Sequence, residues 1–114
     1  MAFDEALAVR IRTALGKRNE EFEEKKMMGG LCFLVDGKMC MGVVKDKLMA
    51  RIGPDAYDEA LKAKGCKEMD FTGRPMKGFV FVEAPGISGQ DQLDHWIGLC
   101  LSYNPQARSA AKKN

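Results

Sequence analysis

The chain has 114 residues, 46% of them hydrophobic and 30% charged, with a net charge of +2, a composition expected of one soluble globular domain and far from that of disordered chains. No apolar run approaches the roughly 20 residues of a membrane helix, and Asp4 and Glu5 stand where a signal peptide is basic, so no membrane association and a cytoplasmic location are expected. Residues 1–103 sum to −1 and the final eleven restore the balance with Arg108, Lys112 and Lys113, which excludes nucleic acid as a partner unless basic residues cluster in space or in that tail.

Phe3, Leu7, Ile11, Ala14 and Leu15 recur at steps of three and four, which predicts a helix over residues 4–15, with Asp4 and Glu5 at its positive end and Gly16 as a left-handed C-cap. Residues 17–26 are mostly charged around Phe22 and read as a solvated connector or short helix. The apolar run 31–35 ends in Asp36-Gly37, a pair suited to a two-residue hairpin turn. A second strand over 38–44, a tight turn at Lys45-Asp46 and a third strand over 47–52 complete a meander. Gly53 breaks the strand, and Pro54 can open a helix over 54–64 because its missing N–H costs nothing there. A charged strand over 67–71 suits a sheet edge, whereas residues 77–83, with Phe79, Val80, Phe81 and Val82, suit a central strand. Ser88 and Asp91 approximate a capping box, and Leu93, Trp96, Ile97, Cys100 and Leu101 form the apolar stripe of a final helix. The fold class expected is α+β in two layers: an antiparallel sheet of about five strands with N-terminal, middle and C-terminal helices packed on it. The domain is expected over 1–103, followed by a flexible basic tail over 104–114.

Few residues suggest reaction chemistry. Cys32, Cys40, Cys66 and Cys100 lack Cys-x-x-Cys spacing, and His95 is the single histidine, so no metal site is expected and the thiols read as small buried hydrophobes. His95 points away from the apolar stripe, one turn from Asp91, and reads as a solvated side chain. With no G-x-S-x-G or phosphate-loop pattern present, no catalytic residue, no cofactor and no enzymatic activity are expected. Alternation places Met39 and Met41 on one sheet face beneath a helix, and the sharper reading of the Met-rich first half is an adaptable interaction surface. The loop Gly73-Arg74-Pro75-Met76-Lys77-Gly78 combines two cations with a rigid proline between glycines, which suits presentation to a carboxylate or phosphate; Arg51 is a candidate neighbour.

Lys26-Met27-Met28-Gly29-Gly30 resembles the K-M-F-G-G that opens the TfoX/Sxy N-terminal domain, with Met28 in place of the aromatic. Asp36-Gly37-Lys38, Arg51 with Gly53-Pro54, the Gly73 to Gly78 loop and the final helix are similar to that domain in the same order, across residues 10–102. The resemblance implies helices packed on an antiparallel sheet and a stand-alone, single-domain member of the family. Two-domain members regulate natural competence genes with the cyclic-AMP receptor protein and carry a further helical C-terminal domain. The function expected is therefore a small regulatory or protein-interaction domain, with a transcription regulator or a separate C-terminal-domain protein as its partner and a homodimer as a further expectation. Lys26, Met27, Met28, Gly29, Arg51, Arg74, Pro75, Met76 and Lys77 are the candidate contact residues. The alternative is a nucleic-acid-binding accessory protein that uses a local basic surface and the tail.

Overall fold

The computed structural model describes residues 3–27, 29–69 and 78–106. Asp4 opens the first helix, α1 (Glu5–Lys17), by accepting the Leu7 N–H at 3.2 Å, and the helix buries Leu7, Ala8, Ile11, Ala14 and Leu15 as the periodicity predicts. Its stop differs from expectation. Gly16 lies inside the helix, and the left-handed residue is Asn19 (φ 59°). The N–H of Asn19 bonds to the Gly16 carbonyl and that of Glu20 to the Leu15 carbonyl, so asparagine, which tolerates positive φ, closes the helix in place of glycine.

The connector expected over 17–26 contains a strand, β1 (Glu23–Met27), antiparallel to β2 (Gly30–Val35). Charge hides it from periodicity because it is an edge, where Glu and Lys on both faces guard the unpaired backbone. Phe22 anchors it on Phe33, with ring centroids 5.7 Å apart, and Arg12 of α1 grips the Glu24 carboxylate with two hydrogen bonds. Asp36 (φ 56°) and Gly37 (φ 74°) form the expected turn into β3 (Lys38–Val44), and Lys45 (φ 56°) turns the chain into β4 (Lys47–Arg51). Helix α2 (Pro54–Ala60) is shorter than the 54–64 expected. Lys62 and Ala63 donate to carbonyls three residues back, and Gly65 (φ 80°) then reverses the chain.

Strand β5 (Cys66–Glu68) is the other edge, and β6 (Phe79–Val82) lies between β4 and β5, as its two-faced apolar pattern predicts. The sheet has six strands in the order β1-β2-β3-β4-β6-β5, antiparallel throughout, one more than expected. Helix α3 (Gln90–Tyr103) is capped one residue later than Ser88 and Asp91 suggest: Gln92 Oε1 accepts the Gly89 N–H at 2.8 Å and the Ser88 hydroxyl at 3.1 Å. Asn104, where a loose tail is expected to begin, is buried, and its Nδ2 donates to the Val35 carbonyl at 3.0 Å.

All three helices pack on one sheet face. The core there joins Ile11, Leu15, Leu93 and Ile97 to Phe33, Met41, Val43, Leu48, Val80 and Val82, and each large side chain so buried contributes roughly 1.5–3 kcal/mol. A bulge decides which residues of β3 reach it. Phe33 pairs with Met41 and Leu34 pairs with Met39, leaving Cys40 without a partner. The extra residue breaks the alternation, so Cys40 and Met41 both join the helix-covered core while Met39 joins a second cluster on the opposite face. The expectation that Met39 and Met41 share a face is thus corrected.

Candidate functional site

The second cluster contains no helix residue among those described. Cys32, Met49 and Met69 are closed off at 3%, 0% and 1% exposure, and Leu34, Met39, Val44, Phe79 and Phe81 pack around them, partly exposed. Directly opposed residues share a face, so the register fixes the rows. One row runs Lys25, Cys32, Gly42, Met49, Phe81 and Lys67 across all six strands. A second carries Glu23, Leu34 and Met39, continued by Arg51 and Phe79 on β4 and β6. Gly42 sits where a methyl would lie 2.7 Å from the Leu31 carbonyl and 3.0 Å from Met49 Cε, so glycine leaves room for Met49 over the sheet.

Charge on this face is uneven. Lys47 sits over the Phe81 ring at 5.5 Å and Arg51 over the Phe79 ring at 5.3 Å, distances typical of cation–π contacts. Arg51 also lies 6.0 Å from the Tyr103 ring and donates to the Met39 carbonyl at 3.3 Å. Lys67 pairs with Glu83 at 3.6 Å. At the far corner a groove of about 580 Å³ is lined by Glu20, Glu21, Phe22, Glu23, Leu34 and Asp36. The described charges of this face are mainly basic over β4 and β5, and the acidic groove lies at the sheet edge, where Phe22 of the helix-covered cluster and Leu34 of the second cluster both line it.

The sequence-derived residues are distributed over this frame. Arg51 is on the face. The Gly78 carbonyl accepts the N–H groups of Ile52 and Gly53 at 2.8 and 3.1 Å, which brings the end of the Gly73 to Gly78 loop beside Arg51. Lys26 is exposed on β1 opposite Leu31, three strands from Arg51 and in a row that belongs to the helix-covered side. Met27 pairs with Gly30 through its backbone, and Gly29 takes φ 76° in the turn between them. Met28, Arg74, Pro75, Met76 and Lys77 lie outside the described residues. Phe79, Phe81, Lys47 and Lys67 join Arg51 only through strand order, which sequence spacing does not reveal; the paired aromatics of β6 were the available signal.

The four thiols are free and buried. Burial raises the Cys32 thiol above its ordinary pKa and pushes that of Cys66 up to about 11. Cys100, on α3, is raised well above the ordinary value, first by burial and then by its hydrogen bond with Cys40. His95 is exposed, edge-on to Trp96 at 5.4 Å. Among the described residues no group of three His, Cys, Asp or Glu side chains could hold a metal ion, and no helix is long and apolar enough to cross a membrane.

Comparison with curated proteins returned no match, and neither did comparison with solved structures. The family model described as the TfoX N-terminal domain matches residues 14–103, a span from within α1 to the last residue of α3. With its helices on one face of an antiparallel sheet, as the sequence motifs imply, the chain belongs to the TfoX N-terminal domain family.

Proposed function

We propose that this is a small regulatory protein-interaction domain that works in the cytoplasm without catalysis, and that the helix-free face of the sheet is its contact surface. The observation that carries this reading is the ring of partly exposed Leu34, Met39, Val44, Phe79 and Phe81 around the buried Cys32, Met49 and Met69, with charged groups at its margins and no helix packed against it among the described residues. Partly exposed apolar side chains within a charged rim suit a protein interface, and methionine at the partly exposed Met39 suits an adaptable one. Buried thiols with raised pKa values are poor nucleophiles at neutral pH, which supports a non-catalytic role. The family's two-domain competence regulators make a transcription regulator or a separate C-terminal-domain protein the natural partner.

Leu34→Glu and Val44→Glu place charge at the margin of the patch, where both side chains are partly exposed. They are expected to abolish capture of protein partners while leaving the far-ultraviolet circular dichroism unchanged. Undiminished capture by both folded variants refutes the reading.

Nucleic-acid binding is the second reading, and Lys47, Arg51 and Lys67 favour it. Setting aside Asp70, Arg74, Lys77, Arg108, Lys112 and Lys113, the chain's +2 becomes −2 for the described residues, and the rings of Phe79 and Phe81 already carry cations. Stacking of bases on those rings would displace them. Saturable, salt-sensitive binding of labelled DNA at micromolar protein would replace the first reading with this one.

A further inference from the structure

The basic side chains of α1 fall into two groups with different surroundings. Arg12 reaches the sheet edge, where the Glu24 carboxylate pairs with it. Arg10, Lys17 and Arg18 border α3 instead, and with Val9, Thr13 and Asp94 they line a groove of about 270 Å³ between the two helices. None of these three cations forms an ion pair among the described residues. Arg10 donates to the Gly89 carbonyl at 3.4 Å and Arg18 to the Asp94 carbonyl at 3.1 Å, so each guanidinium is steadied by a neutral acceptor and keeps further N–H donors for an anion. The Asp94 carboxylate accepts from Gln90 at 3.2 Å. Arg10 also borders a smaller hollow with Asp4 and Asp46 and pairs with neither; the Asp4 carboxylate caps α1 through the Leu7 N–H. The groove thus sets three cations against one carboxylate, on the helix side of the sheet.

Length decides what kind of anion fits. At a rise of about 1.5 Å per residue the backbone from Arg10 to Arg18 covers about 12 Å. On α3 the contacts advance in step, from Gly89 beside Arg10 to Gly98, where a methyl would stand 3.6 Å from the Arg18 guanidinium. The cations therefore follow the helices and do not converge on one point. A single phosphate or carboxylate is too small to meet both ends, whereas an extended chain covers the distance with about four residues at about 3.3 Å each. Val9, 52% exposed, is the large apolar side chain left open among the described residues, and it lines the same groove. An apolar contact beside charged ones suits a polypeptide, and three cations with a carboxylate among them give a nucleic acid only a shallow counterion-release term. We propose that the α1–α3 groove binds an extended acidic segment of a partner protein, its carboxylates meeting Arg10, Lys17 and Arg18 and an apolar side chain meeting Val9. This is a second contact surface, and it does not depend on the reading of the helix-free face. Exposed charge pairs are individually weak, so a dissociation constant of about 0.1 mM is expected at low salt, rising as salt is added.

Nuclear magnetic resonance of the isotope-labelled full chain, titrated at low salt with an unlabelled peptide of about eight residues, Glu and Asp around one Leu, tests this directly. The amides of residues 9–18 and 90–98 are expected to shift saturably. Lys17→Glu with Arg18→Glu is expected to weaken binding at least about tenfold, because like charges now meet. A peptide with Lys in place of its acids is expected to bind that variant and not the native chain. Lys17 is exposed, so Lys17→Glu alone keeps the test available if loss of the Arg18 contact with Asp94 unfolds the chain. No saturable shift at about 2 mM peptide overturns the proposal, as does equal binding by the folded charge-reversed variant or by a peptide carrying Gln and Asn in place of the acids. Duplex DNA that shifts the same amides when the peptide does not would assign the groove to nucleic acid and overturn it as well. Leu34→Glu and Val44→Glu are expected to keep peptide binding, so failure of the helix-free face and failure of this groove are told apart.

Discussion

Met39 and Met41 are two residues apart on β3, and unbroken alternation gives them equal fates on substitution. The bulge at Cys40 makes the fates opposite. Met41 is 0% exposed, opposite Phe33 on one side and Ala50 on the other, so Met41→Ala removes buried methylenes and leaves a cavity, at a cost of about 2–5 kcal/mol. Met39 is partly exposed at the margin of the second cluster, so Met39→Ala costs about 1 kcal/mol or less. Urea unfolding followed by the fluorescence of Trp96, the single tryptophan, resolves the two. With a denaturant slope of roughly 1–3 kcal/mol/M, Met41→Ala moves the midpoint down by about 1–3 M, whereas Met39→Ala moves it by about 0.5 M or less. Carboxylates sharpen the contrast. Met39→Glu remains folded at the water-facing margin, and Met41→Glu does not fold, because an unpaired buried charge costs a large part of the roughly 5–15 kcal/mol that holds a domain. Equal midpoint shifts for the two alanine variants would refute the bulge and the assignment of faces that depends on it.

Gly53→Ala forces a side chain into positive φ (88°) and drives its methyl into the Tyr103 ring; a loss of about 2 kcal/mol or more is expected, and an unchanged urea midpoint contradicts it. Asn104→Ala removes the donor to the Val35 carbonyl, with an expected cost of about 1–3 kcal/mol if that carbonyl stays buried and unpaired; a thermal midpoint within error of the native chain's argues that the residue is not an anchor. Burial lifts the Cys66 thiol from 9.0 to about 11, so the folded chain keeps a proton that the unfolded chain releases. Its contribution is therefore complete below pH 9 and falls as the pH rises toward 11, and Cys66→Ala is expected to lose less stability than the native chain between those values. Parallel stability curves for the two proteins from pH 8 to 11 speak against this.

The meander was legible because its turns are written in residue types: Asp36-Gly37 and Lys45-Asp46 sit between apolar runs, and the chain reverses at both. Helix α3 was legible because Leu93, Trp96, Ile97 and Cys100 keep one phase over the length of the helix, and all four are buried. Strand β1 was not, because Glu23, Glu24, Lys25 and Lys26 carry no apolar alternation; its place comes from backbone pairing with β2 and from Phe22 packing on Phe33. The candidate site was legible only at Arg51. Lys47, Lys67, Phe79 and Phe81 are brought together by the insertion of β6 between β4 and β5, a pairing between segments some thirty residues apart in the chain that no local pattern encodes.

The bulge has a cost and a consequence on different sides of the sheet. On the helix side it brings Cys40 in beside Met41, and Cys40 meets Cys100 of α3 there, so one strand supplies two successive side chains to the core. On the other side it turns Met39 outward next to Leu34, with its carbonyl accepting from Arg51. Were Cys40 instead paired with Leu34 in an unbroken ladder, Met39 would fall beneath the helices, and the carbonyl that holds the Arg51 guanidinium near Phe79 would shift by one position in register. The irregularity that fills the core is therefore also what sets a methionine beside an arginine on the helix-free face. Deleting Cys40 leaves the pairs Phe33–Met41 and Leu34–Met39 in place, so it is expected to remove the second core side chain and its contact with Cys100 while keeping Met39 beside Arg51 on the helix-free face.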